Sequence, residues 1–402
     1  MKLGLEVLLA DKKMIKKMRT QKVGLVCHPA SVDQKLKHAF DLLHGAIGLS
    51  CAFGPQHGVK GELQDNMMES EDEIHTNAKI PVFSLYGKVR RPTPEMMQHF
   101  DVLLFDLQDL GCRIYTFITT LLFVMEECAK HNKKLIILDR PNPAGREVEG
   151  FILESGWESF VGAAPIPMRH GLTVGELAQY YKKHFSLDLD LKVIKMQGYF
   201  PKRKPGFGWP EGQVWINPSP NAQTLNMARA YPGTVLIEGT NLSEGRGTTR
   251  ALEQIGAAGI DFAKVLSLMH KKDLKGKSSW LAGTWLRECF FQPTFHKFSG
   301  EICSGLHLHY DFTGYSPMAA KPYRVVTLML KCVHELYPKF TLFRDFAYEY
   351  VFDKLAFDVI NGGPKLRQWI EDKKSTTADL EKLLALDEAK WRREYVKYFL
   401  YK

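Results

Sequence analysis

The chain has 402 residues, 45% of them hydrophobic and 25% charged, which excludes a disordered or fibrous chain and exceeds what one ordinary core needs, so two domains are expected. The formal charge of +9 is scattered in small clusters near residues 12–22, 202–204 and 271–277, the pattern of a solvated surface rather than of a nucleic-acid partner, although it would steer an anionic substrate. Without an apolar stretch of about 18 residues the chain is not expected to span a membrane, and its seven cysteines, with no CxxC spacing, read as buried free thiols.

The N-terminal run (MKLGLEVLLADKK) carries no signal-peptide apolar core or small-residue cleavage site. Cytoplasmic residence is the expectation, and periplasmic or secreted residence if a leader is missing. Residues 22–27 (KVGLVC), 48–53 (GLSCAF), 82–86 (VFSLY), 102–106 (VLLFD) and 134–139 (KLIILD) are short, continuous apolar runs. Such runs suit strands of a parallel sheet covered on both faces. Residues 115–131 form an apolar-rich helix between the fourth and fifth, which predicts right-handed β-α-β crossovers. Each run ends in polar residues: His28-Pro29, Gln56-His57-Gly58, Gly87-Lys88, Asp106-Leu107-Gln108-Asp109 and Asp139-Arg140-Pro141-Asn142. Each cluster alone is what a turn requires. Together they mark one sheet edge, where parallel sheets bind ligands.

Further on, residues 173–185 read as a helix whose Thr173 and Glu176 form a capping box, and residues 191–196 as a strand. Residues 197–221 are a long loop rich in Gly, Pro and Trp, and 238–248 a Gly-rich polar loop ahead of a helix at 251–257. After about residue 250 the β-α-β rhythm fades. Helices are expected over 262–270, 323–336 and 378–386, a strand over 305–310, and a terminal helix over 391–402. The fold class is α/β: a Rossmann-like parallel sheet with helices on both faces over residues 1–245, and a smaller α+β domain over 246–402.

Several chemistries are missing from this pattern. Neither GxGxxG nor GxxxxGK[ST] occurs, so a nucleotide cofactor is not expected; no HExxH occurs, and His307 and His309 alone do not make a metal site. GxSxG is absent, which argues against a serine nucleophile. Carboxylates remain. Asp106, Asp109, Asp139, Glu149, Glu238 and Glu244 lie at strand ends or in polar loops, interleaved with Arg113, Arg140, Arg169 and Arg246. Glycoside hydrolysis requires two carboxyl groups, one of them kept protonated, and the arginines either bind a substrate carboxylate or pair with the acids.

At these residues the chain resembles the exo-β-N-acetylmuramidase family. The resemblance rests on His57-Gly58-Val59-Lys60-Gly61, on residues 106–116 (DLQDLGCRIYT), on Leu138-Asp139-Arg140-Pro141-Asn142-Pro143, on residues 169–177 (RHGLTVGEL), on Pro218-Ser219-Pro220-Asn221 and on residues 238–248. It covers nearly the whole chain. It implies a Rossmann-like catalytic domain, an auxiliary domain and a cleft between them. The implied activity is release of terminal N-acetylmuramic acid from non-reducing ends of peptidoglycan fragments, without cofactor or metal, as part of bacterial cell-wall turnover. The partner is then a peptidoglycan-derived saccharide, not nucleic acid or membrane, and a homodimer is left open. The candidate catalytic residues are Glu244, Glu238, Asp106, Asp109 and Gln56. Substrate binding is expected from His57, Lys60, Arg113, Tyr115, Arg140, Asn142, Arg169, His170, Asn221, Asn241 and Arg246. One departure stands out: the family typically carries a glutamate, a favoured catalytic acid, where this chain has Gln56, and prefers arginine at Lys60. An amide cannot donate a proton as a general acid, which leaves Glu62 and Glu69, nearby in sequence, as alternatives for that role. A non-catalytic binder of muramic-acid sugars, and a hydrolase of another amino-sugar linkage, therefore stay open.

Overall fold

The computed structural model describes residues 1–62 and 68–402. Its centre is a seven-stranded sheet. The strands are β1 (Val23–Cys27), β2 (Cys51–Gly54), β3 (Glu73–Ile74), β4 (Pro81–Ser84), β5 (Val102–Asp106) and β6 (Lys134–Leu138). A hairpin-like pair outside the sheet, β7 (Glu149–Ile152) and β8 (Pro167–Arg169), precedes the last sheet strand, β9 (Leu191–Ile194). The order is β3-β4-β2-β1-β5-β6-β9, and every pairing is parallel except β3 with β4. The six parallel strands thus follow the 3-2-1-4-5-6 order of dinucleotide-binding sheets. The apolar runs read as strands coincide with these elements to within a few residues, because β1 and β5 are buried at every position.

Helices cover both faces. Leu25, Leu104 and Ile136 pack on one side with Leu5, Leu8, Phe40 and Leu43 of the N-terminal helices. Val26, Leu103, Phe105 and Ile137 belong to a second core with Ile118, Leu121 and Met125 of the helix Phe117–Lys130. That second core runs without a break into the C-terminal half, reaching Leu236, Ile255, Leu306, Val326 and Leu384.

The C-terminal half holds an antiparallel sheet of β10 (Gln254–Ala257), β11 (Trp285–Phe291) and β12 (Cys303–His309) in the order β10-β12-β11. The helix Pro322–Leu336 is buried along most of its length at its centre. Two expectations are corrected. Residues 251–257 are not helical: the last four form β10, because Ile255 and Ala257 gain burial by pairing with β12. The terminal helix is not a separate element over 391–402. It is the end of one long helix, Thr377–Tyr395, followed by a 3-10 turn, Val396–Tyr398, and an irregular end. Among the described residues no helix is long and apolar enough to cross a membrane.

Candidate active site

In a sheet of this order the ligand crevice lies where the connections diverge, between β1 and β5. Here that position is filled. Asp106 at the end of β5 accepts from Arg140 Nε at 2.6 Å and Nη2 at 2.9 Å, and Arg140 also donates to the Val32 carbonyl at 3.0 Å. Asp106 is 0% and Arg140 3% exposed, so the pair is a fastener inside the protein. His28, after β1, is fully buried, and burial pushes its imidazole down to about 3. Its Nε2 accepts from the Gln108 amide at 3.0 Å.

The other strand-end residues do similar work. Asp109 caps the following turn by accepting from the Gly111 amide at 2.6 Å, and His170 stands 3.5 Å from it. Asn142 donates to the Leu172 carbonyl and accepts from the Ala144 amide, each at 2.9 Å. Arg169 donates to the carbonyls of Ala144, Pro317 and Ala320. Arg113 donates to Phe151 and Ile166 at 2.9 Å and reaches across to Ile360 at 3.1 Å and Asn361 at 2.5 Å. Lys60 is exposed and pairs with Glu73 at 2.8 Å. Asn241 donates to the Thr341 carbonyl at 2.7 Å. None of these residues, nor Asp106 or Arg140, lines the polar recess described next.

That recess opens between the loops after β2 and β5 and the C-terminal half. It gathers Gln56, His57, Tyr115, Asn221, Glu238 and Arg246 from the sequence-based candidates, and adds Thr116, Ser219, Tyr231, Tyr348 and Glu349. His57 and Gly58 have φ of 71° and 77°, a left-handed turn that aims His57 into the recess as β2 ends. Glu238 comes from the 3-10 turn Val235–Gly239, which continues the helix Leu225–Thr234. Its Oε1 accepts from Arg246 Nη2 at 2.8 Å and its Oε2 from the Tyr348 hydroxyl at 2.6 Å.

Glu349 faces Gln56. The Gln56 amide donates to Glu349 Oε1 at 3.3 Å, the Tyr86 hydroxyl donates to Oε2 at 2.8 Å, and Gln56 Oε1 accepts from Thr116 at 2.7 Å. Burial pushes the Glu349 carboxyl up; the Tyr86 and Gln56 hydrogen bonds pull it back, nearby Glu238 pushes it further, Arg90 opposes it weakly, and the net direction is up. The recess therefore holds one carboxylate paired with arginine beside another that burial favours in its neutral form, the separation of roles that glycosidic acid–base chemistry needs.

Glu244 lies under the recess rather than in its lining. It is 1% exposed and meets Arg246 Nε at 3.1 Å, His296 Nδ1 at 3.3 Å and Lys297 Nζ at 2.8 Å. Burial alone would push its carboxyl up, but Lys297, His296 and Arg246 outweigh that and hold it well below the usual carboxylate range. Its role in the structure is to fix Arg246, which donates from Nη2 to Glu238. A larger cavity of about 550 Å³ lies beside residues 198–214, but Glu211 is the one carboxylate in its lining. The two neighbouring glutamates, Glu238 and Glu349, are in the smaller recess.

Glu349 and Tyr348 escaped the sequence reading. The available signal was a single acid inside the aromatic run Phe346-Ala347-Tyr348-Glu349-Tyr350-Val351-Phe352, since a carboxylate embedded among aromatics is a buried one.

Two family models meet in this chain. Residues 23–226 match the N-terminal part, and residues 229–401 the C-terminal part, of the exo-beta-N-acetylmuramidase NamZ family. The peptidoglycan beta-N-acetylmuramidase NamZ of Bacillus subtilis (strain 168) is 38% identical, over 98% of this chain and 91% of that protein. A solved DUF1343 family protein of Bacteroides fragilis superposes with a TM-score of 0.83 at 31% identity, covering 100% of this chain and 99% of that one. A second such protein from the same organism shares the fold at 24% identity, with a TM-score of 0.73. The chain belongs to the exo-β-N-acetylmuramidase family.

Proposed function

We propose that this family member is a glycoside hydrolase that releases terminal N-acetylmuramic acid from the non-reducing ends of peptidoglycan fragments, using the recess between its two halves. One observation carries the reading: two buried glutamates enter one recess, Glu238 hydrogen-bonded to Arg246 and Glu349 to Tyr86 and Gln56. Glu238 is the carboxylate that faces the positive charge developing on the sugar ring. Arg246, Asn221 and His57 are the polar groups that orient the sugar and its lactyl carboxylate. The proposed partner is a wall saccharide, with no nucleic acid or membrane. The proposed compartment is the cytoplasm, or the periplasm or exterior if a leader precedes the chain.

The recess encloses about 40 Å³, far below the roughly 300–1,000 Å³ of small-molecule sites. A sugar ring therefore enters only when the lining moves outward. The test is incubation with a chromogenic N-acetylmuramic acid β-glycoside and with the wall disaccharide that carries N-acetylmuramic acid at its non-reducing end. Release of free N-acetylmuramic acid is expected from both. Binding without release would support the muramic-acid binder instead, a reading favoured by Gln56 alone.

A further inference from the structure

The proposed hydrolysis leaves one role without an occupant. Gln56 lines the recess but is an amide that cannot donate a proton as an acid, and its nitrogen and carbonyl are both engaged, with Glu349 and Thr116. We propose that the Glu349 carboxyl, delivered from the C-terminal half, is the proton donor to the glycosidic oxygen. The inference rests on the hydrolase reading above.

Three observations meet at this residue. The first is placement: the Glu349 carboxyl sits 3.3 Å from the Gln56 amide, so it serves the same corner of the recess that residue 56 serves. The second is its surroundings. The side chain is buried and its oxygens are oriented by the neutral groups of Tyr86 and Gln56, with Arg90 acting on it through space. Glu238, by contrast, is tied to Arg246. The third is backbone geometry. Residues 348–351 form a two-residue hairpin turn in which Tyr348 and Val351 exchange hydrogen bonds of 3.2 and 3.0 Å. Its central residues, Glu349 and Tyr350, have φ of 46° and 68°. Turns of this hand normally use Asn and Gly. A glutamate and a tyrosine there are strained, and such strain clusters at functional sites.

The step balances with water as the co-reactant. The bond from the anomeric carbon to the leaving oxygen breaks, its electron pair stays on that oxygen, and the oxygen takes the Glu349 proton. Water supplies the hydroxyl to the anomeric carbon, and its remaining proton passes to a carboxylate of the site, restoring the resting charge. Gln56 then positions the donor and does not transfer a proton.

The experiment compares Glu349→Gln with wild type on two substrates that differ in how much acid assistance they need. A wall disaccharide leaves as a poorly stabilised sugar alkoxide; a nitrophenyl glycoside leaves as a phenolate that needs little protonation. Turnover of the disaccharide should fall by roughly 10²–10⁴-fold, and that of the nitrophenyl glycoside far less. The alkaline limb of the pH–rate profile, where the donor loses its proton, should disappear. Adding Gln56→Glu to Glu349→Gln should restore part of the disaccharide rate. An equal fall on both substrates, or no fall on either, would overturn the assignment. If Glu349→Gln fails to fold by circular dichroism, Glu349→Asp is read the same way, through the ratio of the two rates. A wild type inactive on both substrates would instead remove the hydrolase reading itself.

Discussion

The molecule carries two groups of buried acids that look alike in sequence and differ in what they face. At the carboxyl edge of the parallel sheet, Asp106 is enclosed by Arg140, and Asp139 accepts from Thr173, Gly175 and Tyr401. At the junction with the C-terminal half, Glu238 and Glu349 are just as buried but border a recess. The first group closes the crevice that sheets of this order leave open; the second opens another about the next strand over. A carboxylate at a strand end thus says little about chemistry until its partners are known. Arg140 spends Nε and Nη2 on one acid and is a fastener, whereas Arg246 gives Nε to Glu244 and Nη2 to Glu238.

Substitutions should separate the two groups. The largest effect is expected for Glu238→Gln: turnover of any cleaved glycoside falls on the order of 10³-fold while the far-UV spectrum and thermal midpoint hold. An unaltered rate would move Glu238 to the fasteners. Asp106→Asn should do the reverse. Leaving Arg140 buried without its counter-charge costs about 3–5 kcal/mol, seen as a lower urea midpoint, with turnover per folded molecule unchanged.

Glu244→Gln should fall between them, losing stability and also activity as Arg246 loosens. The Glu244 carboxyl is held below its unfolded value, so its contribution is present above the usual carboxylate range and is lost as pH falls through the depressed value. The stability gap between variant and wild type should accordingly be wide at pH 7 and narrow toward pH 3 in urea titrations. Asp139 has the opposite sign. Burial raises it to about 6 despite the hydrogen bond from Tyr401, so its contribution is present below about 4 and is lost as pH rises through about 6. The smallest effect is expected for Lys60→Ala. Its ion pair with Glu73 is exposed, and neither melting nor turnover should change measurably.

Much of the sheet was legible because β1, β5 and β6 are continuous apolar runs with punctuation at their ends, and periodicity carries that information locally. The strand β10 was not, since its four residues take their conformation from pairing with β12, about fifty residues later, and nothing within the segment outweighs a helical reading. The site divides in the same way. Gln56, His57, Tyr115, Asn221, Glu238 and Arg246 were found because they stand in polar loops after apolar elements. Glu349 was not, because its partner Gln56 is 293 residues away in the chain and its own neighbours are aromatic. Asp106, Arg113 and Arg140 carried the same sequence signal as the recess residues, and only three-dimensional contact reveals that each is saturated by partners inside the fold.

Arg113 has one further consequence. Its guanidinium, 1% exposed, clasps carbonyls of Phe151 and Ile166 on one side and of Ile360 and Asn361 on the other. The seam between the two matched regions falls at residues 226–229, inside the helix Leu225–Thr234. A cut there would bare the shared core and leave Arg113 half-coordinated, so fragments 1–227 and 228–402 should be insoluble alone and recover a folded form only when produced together.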